Sequence, residues 1–251
     1  MRIGKGLAST AVMVVGLAFG LASVKAQDTI RIATEGAYPP FNMKDASGEL
    51  IGFDVDIAKA LCAEMQADCE IVAQDWDGII PGLVAEKYDA IVASMSITPE
   101  RDEKVDFTNH YYSNYLRIVA KTDSGIGGQD DLTGKTVGAQ RATIAAGWAE
   151  DNLGRASTVN LYDTQTAAYS DLEAGRLDAL ISDVYPAYDW MKDKDGYEFV
   201  GERIDIDDKI AIAVREGDDE LRDKFNEALK AIRDSGKYAE INEKYFPFDI
   251  Y

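Results

Sequence analysis

The sequence predicts an α/β fold, and three observations carry that expectation. Short apolar runs rich in Ile, Val and Ala alternate with segments of helical apolar periodicity. The alternation restarts after a polar, glycine-rich stretch at 121–134. Residues 88–94 and 177–183 also repeat one helix-to-strand pattern, each after a helix of similar size. Short apolar strands often look alike by chance, so this echo alone is weak support for two related lobes.

Taken in order, residues 1–26 read as a cleaved secretion signal. Arg2 and Lys5 form a basic start, residues 7–21 are apolar, and Val24-Lys25-Ala26 has the small-x-small form of a cleavage site. A membrane anchor needs about 20 apolar residues; this run is shorter, broken by Ser9, Thr10 and glycines, and followed by a polar chain. No later segment is long and apolar enough to span a bilayer, and no cysteine at the cleavage point offers a lipid anchor.

Residues 29–33 read as a strand. The helix expected at 54–65 puts Ile57, Leu61 and Met65 on one face with Ala58 and Cys62 beside them. Strands follow at 70–73, 89–93 and 115–120, with a helix at 78–86 and a short one started by Thr98-Pro99, a cap and a first-turn proline. After the 121–134 loop come strands at 136–139, 158–162 and 178–182. Between and after them lie helices at 143–152, 164–174, closed by Gly175, and 184–191. A strand at 210–214 precedes the clearest helix, 218–235, whose stripe is Leu221, Phe225, Ala228, Leu229 and Ile232. A last helix covers 238–245.

Composition narrows the function. The chain has 251 residues, and the signal holds three of its 26 basic residues and none of its 45 acids. The remaining 225 residues therefore carry 23 bases against 45 acids, a net charge of −22. That surface lacks the Lys/Arg density that nucleic acid or anionic membrane requires, so no nucleic-acid partner is expected. It mildly favours cationic small molecules, although acidity also keeps an exported protein soluble. Cys62 and Cys69 are the only cysteines. An even count in an exported chain suggests a disulfide; the alternative is one buried and one surface thiol. With His110 as the sole histidine and no second cysteine pair, no zinc or other metal site is expected, nor any cofactor.

The candidate site gathers at strand ends, where ligands bind in open α/β sheets. Ser94 and Ser96 end an apolar strand, and Arg101 lies one helical turn past Pro99, with a forked guanidinium suited to a carboxylate. The bland alternative is a surface arginine and two turn serines. Asp183 falls at the matching strand end of the second half. Glu35 and Tyr38 follow the first strand and offer a charge and an aromatic face, or simply an acidic turn. Asp54 opens a helix and reads as an N-cap first and a ligand contact second. Trp76 sits among acids at another strand-to-helix turn; tryptophan is usually core, but here it can stack on a cation. Together these residues form a zwitterion reader: Arg101, Ser94 and Ser96 for an α-carboxylate, Asp183 for an α-ammonium, and Glu35 and Asp54, flanked by Tyr38 and Trp76, for a distal positive charge.

The stretches Ile32-Ala33-Thr34-Glu35-Gly36-Ala37-Tyr38-Pro39-Pro40-Phe41, Gly52-Phe53-Asp54-Val55-Asp56, Ser96-Ile97-Thr98-Pro99-Glu100-Arg101 and Gly175-Arg176-Leu177-Asp178-Ala179 make the chain resemble a known family. It is similar to the bacterial extracellular solute-binding proteins of family 3 that serve ABC importers of polar and basic amino acids. The resemblance covers nearly the whole chain after the signal and includes the spacing of Cys62 and Cys69. It implies a two-lobed periplasmic binding protein fold of type II, with two α/β lobes joined by two crossover strands. Lobe I is expected at 27–113 and 208–251, and lobe II at 114–207. It further implies a periplasmic monomer, not an enzyme, that binds a cationic amino acid (arginine, lysine, ornithine or histidine) or an opine by lobe closure and delivers it to a membrane permease.

In that family the positions of Arg101 and Asp183 hold the α-carboxylate and α-ammonium, those of Tyr38 and Trp76 sandwich the side chain, and those of Glu35 and Asp54 receive its cationic end. The chain departs from the pattern in places. Ala93 stands where a serine is frequent, and Glu35 where several relatives carry Asp. The turn Gln140-Arg141-Ala142-Thr143-Ile144-Ala145 replaces one richer in glycine and threonine. There Gln140 and Thr143 would supply polar contacts, Ile144 none, and the helix N-terminus backbone N–H groups. Two alternatives remain open: an exported enzyme on the same fold, similar to cyclohexadienyl dehydratase, with Glu35 as general acid or base, or a ligand-binding module for a separate sensor.

Overall fold

The computed structural model describes Met1 and residues 29–251, so all but the first residue of the expected signal at 1–26 lies outside the described residues. The strands are β1 (Ile30–Thr34), β2 (Ala37–Tyr38), β3 (Asn42–Lys44), β4 (Leu50–Ile51), β5 (Cys69–Ala73), β6 (Ala90–Ile91), β7 (Val105–Lys121), β8 (Thr136–Gln140), β9 (Thr158–Tyr162), β10 (Ala179–Asp183) and β11 (Tyr197–Arg215). The helices are α1 (Phe53–Glu64), α2 (Ile79–Val84), α3 (Pro99–Asp102), α4 (Ile144–Leu153), α5 (Gln165–Glu173), α6 (Val184–Met191), α7 (Asp219–Asp234) and α8 (Lys237–Tyr245).

One sheet of order β5-β1-β6-β11-β7-β10-β8-β9 runs through the molecule, and β2, β3 and β4 make a small second sheet. The order explains the two lobes. Parallel triplets β5-β1-β6 and β10-β8-β9 flank the central antiparallel pair β7 and β11. The sequence echo at 88–94 and 177–183 has a structural counterpart, because β6 and β10 take equivalent places on either side of that pair. The equivalence reaches single hydrogen bonds: the Arg31 amide donates to Asp89 Oδ2 (2.9 Å), and the Thr136 amide to Asp178 Oδ2 (2.7 Å).

Each half-sheet buries both faces. In the first lobe, Phe53, Ile57 and Leu61 of α1 pack with Phe225, Leu229 and Ile232 of α7 on one side. Ile79 and Leu83 of α2 pack with Ile91, Met95 and Val105 on the other. In the second lobe, α4 covers Ile118, Val137 and Ile181, while α5 and α6 cover Val119 and Leu180. Burying such a side chain contributes about 1.5–3 kcal/mol, which is why the stripe expected on the 218–235 helix fixes that helix to the sheet.

Three readings of the sequence change. The strands expected at 115–120 and 210–214 are parts of strands of 17 and 19 residues. Their apolar alternation fails between the lobes, where polar Asn114, Asp205, Asp207, Asp208 and Lys209 lie and the β7–β11 register shifts. The β2–β4 sheet is missed because strands of two or three residues show no period. Asp54 is not an N-cap: α1 begins at Phe53 after Gly52, whose φ is 129° and where a Cβ would lie 2.2 Å from the Phe41 carbonyl oxygen. Only glycine fits there, and the Asp54 side chain turns inward instead.

Cys62 and Cys69 are bonded, tying α1 to the start of β5, with 6.2 Å between their Cα atoms. The closed loop is short, so its entropic contribution is about 2–3 kcal/mol. Reduction, or Cys62→Ser with Cys69→Ser, is expected to lower the free energy of urea unfolding by that amount. An unchanged unfolding midpoint would contradict the expectation.

Candidate functional site

The C-terminal ends of the parallel strands from both lobes face one another. From the first lobe, Glu35 follows β1, Tyr38 ends β2, and Trp76 opens the helical turn after β5. Ala93, Ser94 and Ser96 follow β6, and Arg101 lies on α3. From the second lobe, Gln140 ends β8, Thr143 caps α4, Ile144 begins it, and Asp183 ends β10. These eleven side chains line one cavity of only about 20 Å³, far below the usual volume of a ligand site. Asp54, the twelfth residue expected at the site, does not line it.

Local sequence explains the position of Arg101. Thr98 caps α3, its Oγ1 accepting from the Arg101 amide (3.3 Å), and Pro99 takes the first turn. The guanidinium folds back toward the strand end. Its Nη1 donates to the Ser96 carbonyl (2.8 Å) and Nη2 to the Ala142 carbonyl of the second lobe (2.9 Å). It lies 5.3 Å from the Trp76 ring centroid, and Trp76 Nε1 also donates to the Ala142 carbonyl (3.2 Å). Among the described residues no carboxylate oxygen lies within 4.0 Å of the Arg101 nitrogens.

The two carboxylates of the cavity also meet only neutral partners. Gln140 Nε2 donates to Glu35 Oε1 (2.7 Å), and Tyr38 Oη donates to Asp183 Oδ2 (2.5 Å). Both bonds cross between the lobes, as does Arg141–Asp77 at 3.3 Å, so the lobes touch around the cavity. Thr143 turns its hydroxyl inward: Oγ1 donates to the Gln140 carbonyl (2.7 Å) and accepts from the Ala146 amide (3.2 Å).

Behind the cavity lies a layer that the sequence did not reveal. Asp54 is fully buried and accepts from Asn42 Nδ2 (2.8 Å), Ser94 Oγ (2.9 Å) and Tyr111 Oη (2.7 Å). Between β7 and β11, Asn114 Nδ2 donates to Asp208 Oδ2 (2.7 Å), and both residues are buried. Asn42, Tyr111, Asn114 and Asp208 carry no motif; polar types in otherwise apolar stretches are the only signal. His110 lies apart, its ring centroid 5.0 Å from that of Tyr251.

Burial dominates the electrostatics. It pushes the Glu35 carboxyl up to about 7, opposed by the Gln140 hydrogen bond and assisted by Asp75 and Asp77. It raises Asp54 to about 6 against its three hydrogen bonds. Asp183 is raised by burial and then by the neighbouring charge of Asp208, and Asp208 is itself raised by burial. Arg101 is lowered by burial, with Asp208 and Asp183 opposing. Among the described residues no cluster of His, Cys, Asp and Glu could hold a metal ion, and no helix is long and apolar enough to cross a membrane.

Comparison with known proteins follows the same lines. Residues 30–248 match the sequence pattern of the bacterial extracellular solute-binding proteins, family 3. The chain is 44% identical to an L-arginine-binding protein of Pseudomonas aeruginosa over 240 residues, which are 92% of this chain and 93% of that one. It superimposes on an ancestral arginine-binding protein bound to arginine with a TM-score of 0.82 at 37% identity, covering 87% of this chain and 98% of that one. It also superimposes on an ancestral amino acid-binding protein that is a precursor of cyclohexadienyl dehydratase, with a TM-score of 0.80 at 33% identity, covering 87% and 95%.

Glu35 gives the site a testable pH signature. Its carboxyl is raised in the fold, so the folded chain holds a proton that the unfolded chain releases at lower pH. The stability from that proton is complete below about pH 4.5 and is lost as pH rises through about 7. From pH 5 to pH 8, Glu35→Gln is therefore expected to gain about 2–3 kcal/mol over wild type in denaturant unfolding of the ligand-free protein. Parallel pH profiles for the two proteins would show that Glu35 titrates as an ordinary carboxyl.

Proposed function

The chain belongs to family 3 of the bacterial extracellular solute-binding proteins, and from that premise we propose that it binds a cationic amino acid, arginine foremost, for an ABC importer. One observation carries the choice of ligand. The cavity is lined by three charged side chains, Arg101, Asp183 and Glu35, and each is held by neutral groups alone. One cation and two carboxylates match a molecule with one carboxylate and two cations. The α-carboxylate goes to Arg101 and the N-terminal turn of α4, the α-ammonium to Asp183, and the side-chain cation to Glu35 between Tyr38 and Trp76. The identity to an arginine-binding protein of Pseudomonas aeruginosa supports this reading.

The mechanism is capture by closure. The ligand docks first on the first lobe, 27–113 and 208–251, where Arg101, Ser96, Glu35 and Trp76 reside. Gln140, Thr143 and Asp183 of the second lobe, 114–207, then close on it about β7 and β11. The protein acts in the periplasm as a monomer, after removal of residues 1–26, and presents its closed two-lobed face to a membrane permease.

Isothermal titration of refolded, ligand-stripped protein against amino acids, opines and prephenate tests the reading. Stoichiometric binding of arginine or another cationic amino acid is expected. Truncating one partner of a buried charge pair costs about 2–5 kcal/mol, so Arg101→Ala should weaken binding by about 30-fold to several thousand-fold. Binding confined to neutral or acidic amino acids would overturn the ligand assignment. Turnover of prephenate would replace the binding role with an enzymatic one centred on Glu35.

A further inference from the structure

Asp54 is fully buried and does not line the cavity, so it has no place at the ligand. Its two oxygens instead receive three donors from three separate segments: Asn42 on β3, Ser94 after β6 and Tyr111 on β7. The network extends further at both ends. Asn42 Oδ1 accepts from the Gly36 amide (2.8 Å), next to Glu35, and Tyr111 Oη accepts from the Ser94 amide (3.1 Å).

Ser94 is held by both its hydroxyl and its amide, and it needs to be. Its φ is +53°, in the left-handed region that non-glycine residues rarely adopt. Such a conformation persists only where the surroundings over-determine it, and it gathers at ligand sites. Ser94 and Glu35 both line the first-lobe half of the cavity, and Asp54 is bonded to Ser94 directly and to Asn42, which accepts from the Gly36 amide.

We infer that Asp54 is a positioning residue: without touching the ligand, it holds Ser94 in the left-handed geometry that lines the amino-acid cavity. This rests on the proposed ligand class. The role differs from that of a residue meeting the ligand's distal cation, and the two make opposite predictions for a pair of isosteric ligands. Arginine and citrulline share a backbone and length, and only arginine carries the side-chain charge. A positioning residue serves both equally, whereas a direct partner of the cation serves arginine alone.

The test measures dissociation constants for arginine and citrulline in wild type, Asp54→Asn, Ser94→Ala, the double variant and Glu35→Gln, with circular dichroism as the check of fold. Asp54→Asn replaces one acceptor by a donor facing three donors, and leaving buried groups unsatisfied should weaken both ligands by about 5- to 100-fold. The arginine-to-citrulline ratio should stay within about threefold of wild type, while Glu35→Gln should collapse it. Because Asp54 acts through Ser94, adding Asp54→Asn to Ser94→Ala should cost clearly less than adding it to wild type. A general loosening of the fold would cost both backgrounds alike, and that result would overturn the inference. Selective loss of arginine with citrulline spared would overturn it too, by making Asp54 a direct partner of the cation. If Asp54→Asn does not fold, Tyr111→Phe, which removes one donor and keeps the carboxylate, must show the same unchanged ratio with a smaller loss. Failure of wild type to bind either ligand would instead strike the proposed function.

Discussion

Buried charges without direct ion pairs, brought together by lobe closure, are the constraint on which the rest of the site depends. An ionised group taken out of water needs hydrogen bonds and preferably a counter-ion. Arg101, Asp183 and Glu35 each have the first but no direct ion pair; Arg101 and Asp183 act on each other only at longer range. Closure alone therefore leaves their Coulomb attraction for a ligand unused, and the raised carboxyls of Glu35 and Asp183 register the cost. A ligand carrying complementary charges converts that cost into binding free energy, which ties closure to occupancy.

The fold supplies this arrangement by doubling one motif. Each lobe is a parallel triplet whose strand ends open toward the other, and the β7–β11 pair holds the two triplets in line. Backbone strain sits on both sides of the cleft, at Ser94 in the first lobe and Ala142 in the second, with φ of 53° and 55°. Each serves the site: Ser94 by its hydroxyl and amide bonds, Ala142 by a carbonyl that receives both Arg101 and Trp76. The disulfide, Phe53 and the α7 stripe do not line the cavity and stabilise the first lobe around it.

Much of this was legible in the sequence because it is written locally. Thr98-Pro99 specifies where α3 starts and so where Arg101 points. Thr164 and Asp218 mark their helices by capping them. The apolar runs that end at Ser94 and Asp183 place both residues at strand ends. What escaped is set by contacts between distant segments. Asp54 has the composition of a helix cap, and only the packing of β3, β7 and the loop after β6 turns it inward. Asn114 and Asp208 meet across two long strands whose polar middle breaks the alternation from which strands are read. Thr143 lines the cavity as expected from its place in the turn, but the bonds of its hydroxyl to the Gln140 carbonyl and the Ala146 amide depend on the folded turn before α4.

The most direct measurement is calorimetric titration of ligand-stripped wild-type protein with arginine beside two analogues, agmatine, which lacks the carboxylate, and 5-guanidinovaleric acid, which lacks the α-ammonium. If Arg101 and Asp183 read the two ends of a zwitterion, each analogue should bind at least about 30-fold more weakly than arginine. Equal affinity for agmatine would remove Arg101 from the ligand's carboxylate, and equal affinity for the deaminated analogue would remove Asp183 from its ammonium. Either result would contradict the charge-matched cavity on which this view of the protein rests.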